Sequence, residues 1–304
     1  TGMTHYLYPS RRQPHPEIRR RLDPVVHGRP GPDAPIPAEL VNFYDENGYL
    51  VFENFFSRDE VAAMQKEMMA LRGNPDIRDH DWTITEPGSG AIRSIFRIHE
   101  LSPAFGALAK DPRLVALAEF LLGDRVYIHQ SRLNYKPGFR GKEFYWHSDF
   151  ETWHVEDGMP RMRAFSISIT LSENNEFNGP LMLIPGSHRS FVACVGETPE
   201  DHYKQSLKRQ EYGVPDDDSL RFLVNKGGIV APKGPPGTLI LFDCNIMHGS
   251  NGNITPYDRS NLFLVYNSLE NRLLEPFGAA RPRPEFIAAR DNVTPLPSPR
   301  MAAA

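Results

Sequence analysis

A chain of 304 residues and 34.5 kDa with 40% hydrophobic residues can bury a substantial core, and 34 basic against 38 acidic side chains give it a formal net charge of −4. That balance argues against nucleic acid or an anionic membrane as partner and leaves small molecules as the natural ligands. The two cysteines, Cys194 and Cys244, build no disulfide framework and no CxxC pair, no apolar run reaches membrane-spanning length, and the first residues lack a signal-peptide layout, so a cytoplasmic location is expected.

The length fits one domain, expected to span 1–304. Residues 1–36 hold several prolines and arginines with no sustained period, which predicts an arm lying over the surface. PAELVNFYDEN (37–47) predicts a short helix with proline in its first turn and Gly48 past its end, followed by a strand over 49–52. Ser57 and Glu60 have capping-box spacing ahead of a second helix whose Val61, Met64, Met68 and Leu71 share one face, with Gly73 after its end. The methionines read as core packing. Two more helical pieces are predicted in 102–122, with Pro103 and Pro112 near their starts and Gly123 closing the second.

From Arg125 the period changes to two. In VYIHQSRLNYK (126–136) alternation sets Gln130, Arg132, Asn134 and Lys136 on one face and Tyr127, His129, Leu133 and Tyr135 on the other. FSISITL (165–171) opposes Phe165, Ile167, Ile169 and Leu171 to Ser166, Ser168 and Thr170, a small polar face suited to a pocket wall. NGPLMLIPGSH (178–188) reads as turn, apolar run and turn, and further strands are predicted at 239–242 and 259–267. Many short strands between glycine and proline turns predict a mainly β fold with flanking helices, its core a double-sheet jelly roll, or double-stranded β-helix. A charged, proline-rich stretch at 198–236, with Asp216–Asp218 at a helix start, predicts an insertion or lid; 287–304 is expected to be a mobile tail.

The chemistry concentrates in FYWHSDFETWHVEDGMP (144–160). If this segment is extended, His147 and Asp149 point the same way and grip one ion. His248, where the apolar LILFDCNIM gives way to a polar turn, supplies a third ligand. Two histidines and a carboxylate on one face of a metal are the facial triad of non-heme Fe(II) oxygenases. His-x-Asp alone is weak, because a strand histidine is usually packed or solvated. Arg259 strengthens the case: it lies eleven residues after His248 and opens a strand whose alternate positions are Asn261, Phe263 and Val265. A buried arginine needs an anionic partner, either the distal carboxylate of a metal-chelating 2-oxoglutarate or an internal Asp or Glu.

The 144–160 signature, with NGPLMLIPGSH, HGS and the Arg259 strand, resembles the phytanoyl-CoA dioxygenase superfamily of Fe(II)/2-oxoglutarate-dependent oxygenases and, within it, the ectoine hydroxylases. The likeness runs from the YPSR and LDPVV segments to about Phe286. It implies a jelly-roll enzyme that uses Fe(II), 2-oxoglutarate and O2 to convert ectoine to 5-hydroxyectoine, releasing succinate and CO2, in compatible-solute biosynthesis, and a homodimer. It makes His147, Asp149 and His248 the iron ligands, with Arg259, Asn134, Lys136 and Ser250 around 2-oxoglutarate and Gln130, Thr152, Trp153, Ser168, Asn261 and Phe263 around the substrate. An Asp at position 149, where related halogenases carry a small residue, favours hydroxylation. Trp153 and Phe263 are the rings expected to hold the amidinium of ectoine, whereas Phe144 and Trp146 read as packing, and His154 and His188 as structural. The alternatives are hydroxylation of proline or another small cyclic amino acid, a non-catalytic metal-binding jelly roll, and a zinc hydrolase, for which no convincing general base is present.

Overall fold

The computed structural model describes residues 6–196 and 213–302. The predicted helices of the first half form where capping places them. α1 (Ala38–Asn47) closes on Gly48 at φ 82°, and α2 (Arg58–Arg72) starts with the reciprocal Ser57–Glu60 capping box. α3 (Pro75–Arg78) and α4 (Ile98–Leu101) are single turns, while α5 (Pro103–Ala109) and α6 (Pro112–Leu122) carry proline at their starts, and Gly123 ends α6 in the left-handed conformation. Their apolar faces cover one side of a large sheet.

That sheet has seven antiparallel strands: β2 (Tyr49–Phe52), β10 (Leu239–Asp243), β7 (Ala164–Thr170), β12 (Arg259–Ser268), β5 (Val126–Lys136), β4 (Ile92–Phe96) and β3 (Thr83–Thr85), in that spatial order. A second sheet orders β6 (Phe144–His147), β11 (His248–Ser250) and β8 (Leu181–Leu183), and a two-stranded ribbon pairs β1 (Glu17–Arg20) with β9 (Ser190–Ala193). The predicted alternation explains why the large sheet has two different faces. Leu262, Leu264 and Tyr266 of β12 and Ile167 and Ile169 of β7 enter the helix-side core with Leu114, Leu117 and Leu121 of α6. Arg259, Asn261 and Phe263 turn instead to a cavity shared with β6, β8 and β11. The fold is thus the expected two-sheet jelly roll with flanking helices, without a closed barrel.

Several local expectations change. β6 ends at His147, and α7 (Asp149–Asp157) begins two residues on, so Asp149 is a first-turn helical residue and not a strand neighbour of His147. In β5 the alternation breaks at a bulge: Val265 faces Gln130 but Tyr266 faces Ile128, so one residue is skipped. Val126 and Ile128 thereby join the helix-side core, and His129 leaves the face of Leu133 and Tyr135 to meet Trp153. The N-terminal segment is more than a surface arm, for it contributes β1 and buries Tyr8, Ser10, Arg11 and Arg21. The described part of the predicted tail is docked: Ile287 is fully buried, Ala289 N–H donates to the His129 carbonyl and Leu296 N–H to that of Val126. Of the 198–236 insertion, residues 198–212 lie outside the described residues. Its remainder forms α8 (Asp217–Gly227), capped by Asp216 and packed through Leu220 and Leu223 on Ile184, Val192 and Met247.

Gly158 ends α7 at φ 81°, and a Cβ there would stand 2.0 Å from the Leu274 carbonyl oxygen. Gly158→Ala is expected to cost on the order of 2–3 kcal/mol, read as a lowered urea midpoint.

Candidate active site

Strand pairing brings the three sequence-distant ligands together. β11 runs antiparallel to β6 with His248 directly opposite His147, and the chain turns after His147 to offer Asp149 from the first turn of α7. His147 Nε2 lies 3.3 Å from Asp149 Oδ1 and His248 Nε2 3.5 Å from Oδ2. The donor atoms of all three fall within 4.8 Å of one another, the single such group of three among the described residues. Each imidazole is held through its other nitrogen: Nδ1 of His147 donates to the Tyr145 carbonyl (2.8 Å) and Nδ1 of His248 to that of Ile246 (3.0 Å). These bonds fix the tautomer that leaves both Nε2 lone pairs aimed at the shared centre. Burial works against charge on Asp149, but His248, His147 and Arg132 outweigh it and hold its carboxyl below the usual range, while burial pushes His248 down to about 4. Neutral imidazoles and an ionised carboxylate are the forms a divalent metal takes, and two nitrogens with one oxygen match a ferrous centre that keeps a face open.

Two chambers meet at this centre and share Arg132, Phe144, His147 and Phe263. The first is cationic. Arg259 projects into it from β12 with its Nη1 hydrogen-bonded to Asn261 Oδ1 at 2.6 Å, its Nε without a partner, and no carboxylate within ion-pair distance among the described residues. Lys136 reaches Ser250 Oγ (2.8 Å) and the Asn251 carbonyl (2.7 Å); burial, with Arg259 and Arg93 nearby, lowers it to about 7. Burial alone draws Arg259 down to about 10. A cavity that depresses its own cations is built to receive an anion. The second chamber has apolar walls from Phe96, Phe242 and Val265 and polar groups from Gln130, Thr152, Ser166 and Arg283 around Trp153.

Asn134, Lys136, Ser250 and Arg259 all line the first chamber, and Gln130, Thr152, Trp153 and Phe263 line the second. Asn261, expected near the substrate, lines only the first, and Ser168 lines neither: it accepts the Asn261 amide at 2.9 Å and so orients the residue that orients Arg259. One face of Phe263 is already taken by the Arg132 guanidinium, 4.8 Å from the ring centroid, which limits its use as a cation wall. Three wall residues were not singled out in the sequence. Phe144, expected only to pack, separates the chambers and carries Arg93 over its ring at 4.7 Å. Arg132 shares the correct face of β5 with Gln130 and Asn134, a signal that was available. Arg283 comes from the proline-rich C-terminal segment, where no periodicity points to it; its guanidinium is buried against Asp157. His154 and His188 are structural: His154 binds the Met159 carbonyl and the Tyr8 N–H, and His188 the Asp45 carbonyl.

Residues 44–261 match the family described as phytanoyl-CoA dioxygenase (PhyH). The chain belongs to the phytanoyl-CoA dioxygenase family. Among family members, the ectoine dioxygenase of Sphingopyxis alaskensis is 63% identical over 290 residues, 95% of each chain, and that of Streptomyces coelicolor is 48% identical over 285 residues, 94% of this chain and 95% of the other. The crystal structure of EctD from S. alaskensis with 2-oxoglutarate and 5-hydroxyectoine aligns with a TM-score of 0.88 at 57% identity, covering 96% of this chain and 97% of that one. Its iron-bound form gives 0.88 at 56% identity, over 97% and 98%. No helix among the described residues is long and apolar enough to cross a membrane.

As a phytanoyl-CoA dioxygenase family member the chain should take up one equivalent of Co(II) in place of Fe(II). Asp149→Ala and His248→Ala are each expected to weaken that binding at least 100-fold, followed by the visible absorption of the bound ion.

Proposed function

We propose that this chain is an Fe(II)- and 2-oxoglutarate-dependent dioxygenase that hydroxylates ectoine to 5-hydroxyectoine. The observation that carries the reading is the pair of chambers meeting at His147, Asp149 and His248, one cationic and one aromatic and polar, in a chain 63% identical to an ectoine dioxygenase. Fe(II) held by these three residues, with 2-oxoglutarate and O2, supplies the oxidising power for inserting oxygen into a C–H bond, with succinate and CO2 released.

The protein's work is binding, aiming and exclusion of water. Arg259, oriented by Asn261 and Ser168, offers a fork of N–H donors to the distal carboxylate of 2-oxoglutarate. Lys136, steadied by Ser250, adds a second cation, and Asn134 accepts the Ser94 hydroxyl at 2.7 Å, which leaves its amide N–H groups for the ligand. Across the wall, ectoine presents a carboxylate and a delocalised amidinium. Arg283 and Gln130 suit the carboxylate, and the Trp153 face suits the cation. Trp153 rides on α7, the helix that begins with Asp149, so substrate and metal are held on one rigid element. Phe96, Phe242 and Val265 keep the reacting carbon dry.

A reaction of the protein with ectoine, Fe(II), 2-oxoglutarate and O2 is expected to give a product heavier by one oxygen atom, with one succinate per turnover; succinate without that product, or product from proline in preference to ectoine, refutes the substrate assignment. Trp153→Ala should raise KM for ectoine by about 30-fold, corresponding to about 2 kcal/mol of desolvated cation–π contact, and leave KM for 2-oxoglutarate unchanged. Because Lys136 titrates near 7, it is charged below that pH, and above it binding of the dianion must draw a proton from solution. Affinity for 2-oxoglutarate should therefore fall with rising pH above about 7, by up to about tenfold per unit, and Lys136→Met should remove the dependence in direct binding measurements.

A further inference from the structure

The N-terminal segment reaches the metal-binding stretch by two separate buried routes. In the first, Arg11 lies against α7 with both partners' side chains 2% exposed. Its Nε and Nη2 each donate to Glu151 at 2.8 Å, and Nη2 lies 3.0 Å from Glu156. Ser10 Oγ donates to Glu151 at 2.8 Å and accepts the Cys194 N–H, while Arg11 N–H donates to the Cys194 carbonyl. Arg11 sits at φ 62°, a left-handed conformation that a long side chain adopts only where its surroundings impose it. Gly213 roofs the pair so closely that a Cβ there would stand 2.5 Å from both Arg11 Nη2 and Glu151 Oε2. Glu151 lies two residues after Asp149 and directly before Thr152 and Trp153.

In the second route Arg21 Nη1 donates to Asp243 Oδ1 at 2.7 Å, the same oxygen accepts the Asn245 N–H at 2.8 Å, and Asn245 Oδ1 accepts the Ser148 hydroxyl at 2.8 Å. Ser148 stands between His147 and Asp149. It occupies the N-cap position of α7, yet its hydroxyl caps no helical N–H and is committed to Asn245. The Asn245 amide is itself fixed by the carbonyls of His188 and Ser190 at 2.9 Å.

Resting on the reading of His147, Asp149 and His248 as metal ligands, we infer that Arg11 and Arg21 are positioning residues for the metal centre: Arg11 through Glu151 and Glu156, Arg21 through Asp243, Asn245 and Ser148. Neither touches the centre. Together they set the azimuth and entry of α7, and with them the direction of the Asp149 carboxylate relative to the two imidazoles. A hydrophobic contact alone would fix the depth of the helix; the forked Arg11–Glu151 contact and the Arg21–Asp243–Asn245–Ser148 chain also fix its rotation, because their hydrogen bonds are directional. The segment is thus part of the active-site framework, although it contributes no ligand.

The test uses the full chain and titrates Co(II) into the metal-free protein, a readout independent of turnover. Arg11→Lys keeps the charge and removes the fork, Arg21→Lys keeps the charge and removes the planar set of donors that orients Arg21 on Asp243, and Ser148→Ala removes the last link of the second route without touching a charge. Each single variant with a native far-UV circular dichroism spectrum is expected to raise the Co(II) dissociation constant roughly tenfold, the lower range for partners that orient metal ligands. The Arg21→Lys/Ser148→Ala double variant should bind no more weakly than Arg21→Lys alone, since both act along one line. Folded variants that bind Co(II) within twofold of the wild type, or a double variant whose loss is the product of the two single losses, overturn the inference. If a lysine variant does not fold, Glu151→Gln for the first route and Ser148→Ala for the second decide the matter on the same thresholds. Wild-type protein that binds Co(II) but does not hydroxylate ectoine sinks the substrate reading and leaves this test standing; wild-type protein that binds no Co(II) sinks both.

Discussion

The site depends on the antiparallel pairing of β6 with β11, which sets His147 opposite His248. Two imidazoles from segments a hundred residues apart become cross-strand neighbours, their ring centroids 4.3 Å apart. A backbone ladder fixes that separation far more tightly than loops would, and the Nδ1 bonds to Tyr145 and Ile246 leave only the Nε2 atoms free to bind. Asp149 arrives by a different device, a strand that stops and a helix that starts within two residues. Sheet and helix thus contribute one coordinate each, and their junction is the active site.

Around the junction the protein keeps cations that its own carboxylates do not neutralise. Arg259 and Arg132 each have a buried Nε without a partner, and burial lowers both, Arg132 to about 10. Leaving such groups unpaired in a low-dielectric cavity costs stability unless a ligand arrives. Elsewhere the same fold pairs its buried charges closely, as in Arg11 with Glu151 and Arg21 with Asp243. The contrast separates scaffold from site: paired charge holds the architecture, and unpaired charge marks where an anion is received.

Much of this was legible in the sequence, because periodicity survives folding where strands are regular. The alternation of 259–267 and 165–171 identified the cavity face correctly, and the capping signals at Ser57, Pro103, Pro112 and Gly123 placed helix ends to within a residue or two. What was hidden depends on long-range contacts. A bulge at His129 inverts the alternation of β5 with no local signal, since the extra residue is tolerated only because of its partner strand. The helical start at Asp149 was masked by a stretch rich in aromatics, which reads as extended. Arg11, Arg21 and Arg283 lie in irregular, proline-rich segments, where a buried arginine looks like a surface one until its carboxylate is found. Ser168 was correctly placed on the cavity-side face yet stands one layer back, a distinction of a few ångströms that no pattern of residue types encodes.

The guanidinium of Arg132 lying on the Phe263 ring forms a partition one side chain thick between the two chambers. Two guests divided by so thin a septum would touch the same side chains. Any tightening of the septum by one is returned to the other as an equal gain in free energy, by thermodynamic reciprocity. Coupling of that kind would need only a shared wall, with no moving domain and no distant relay.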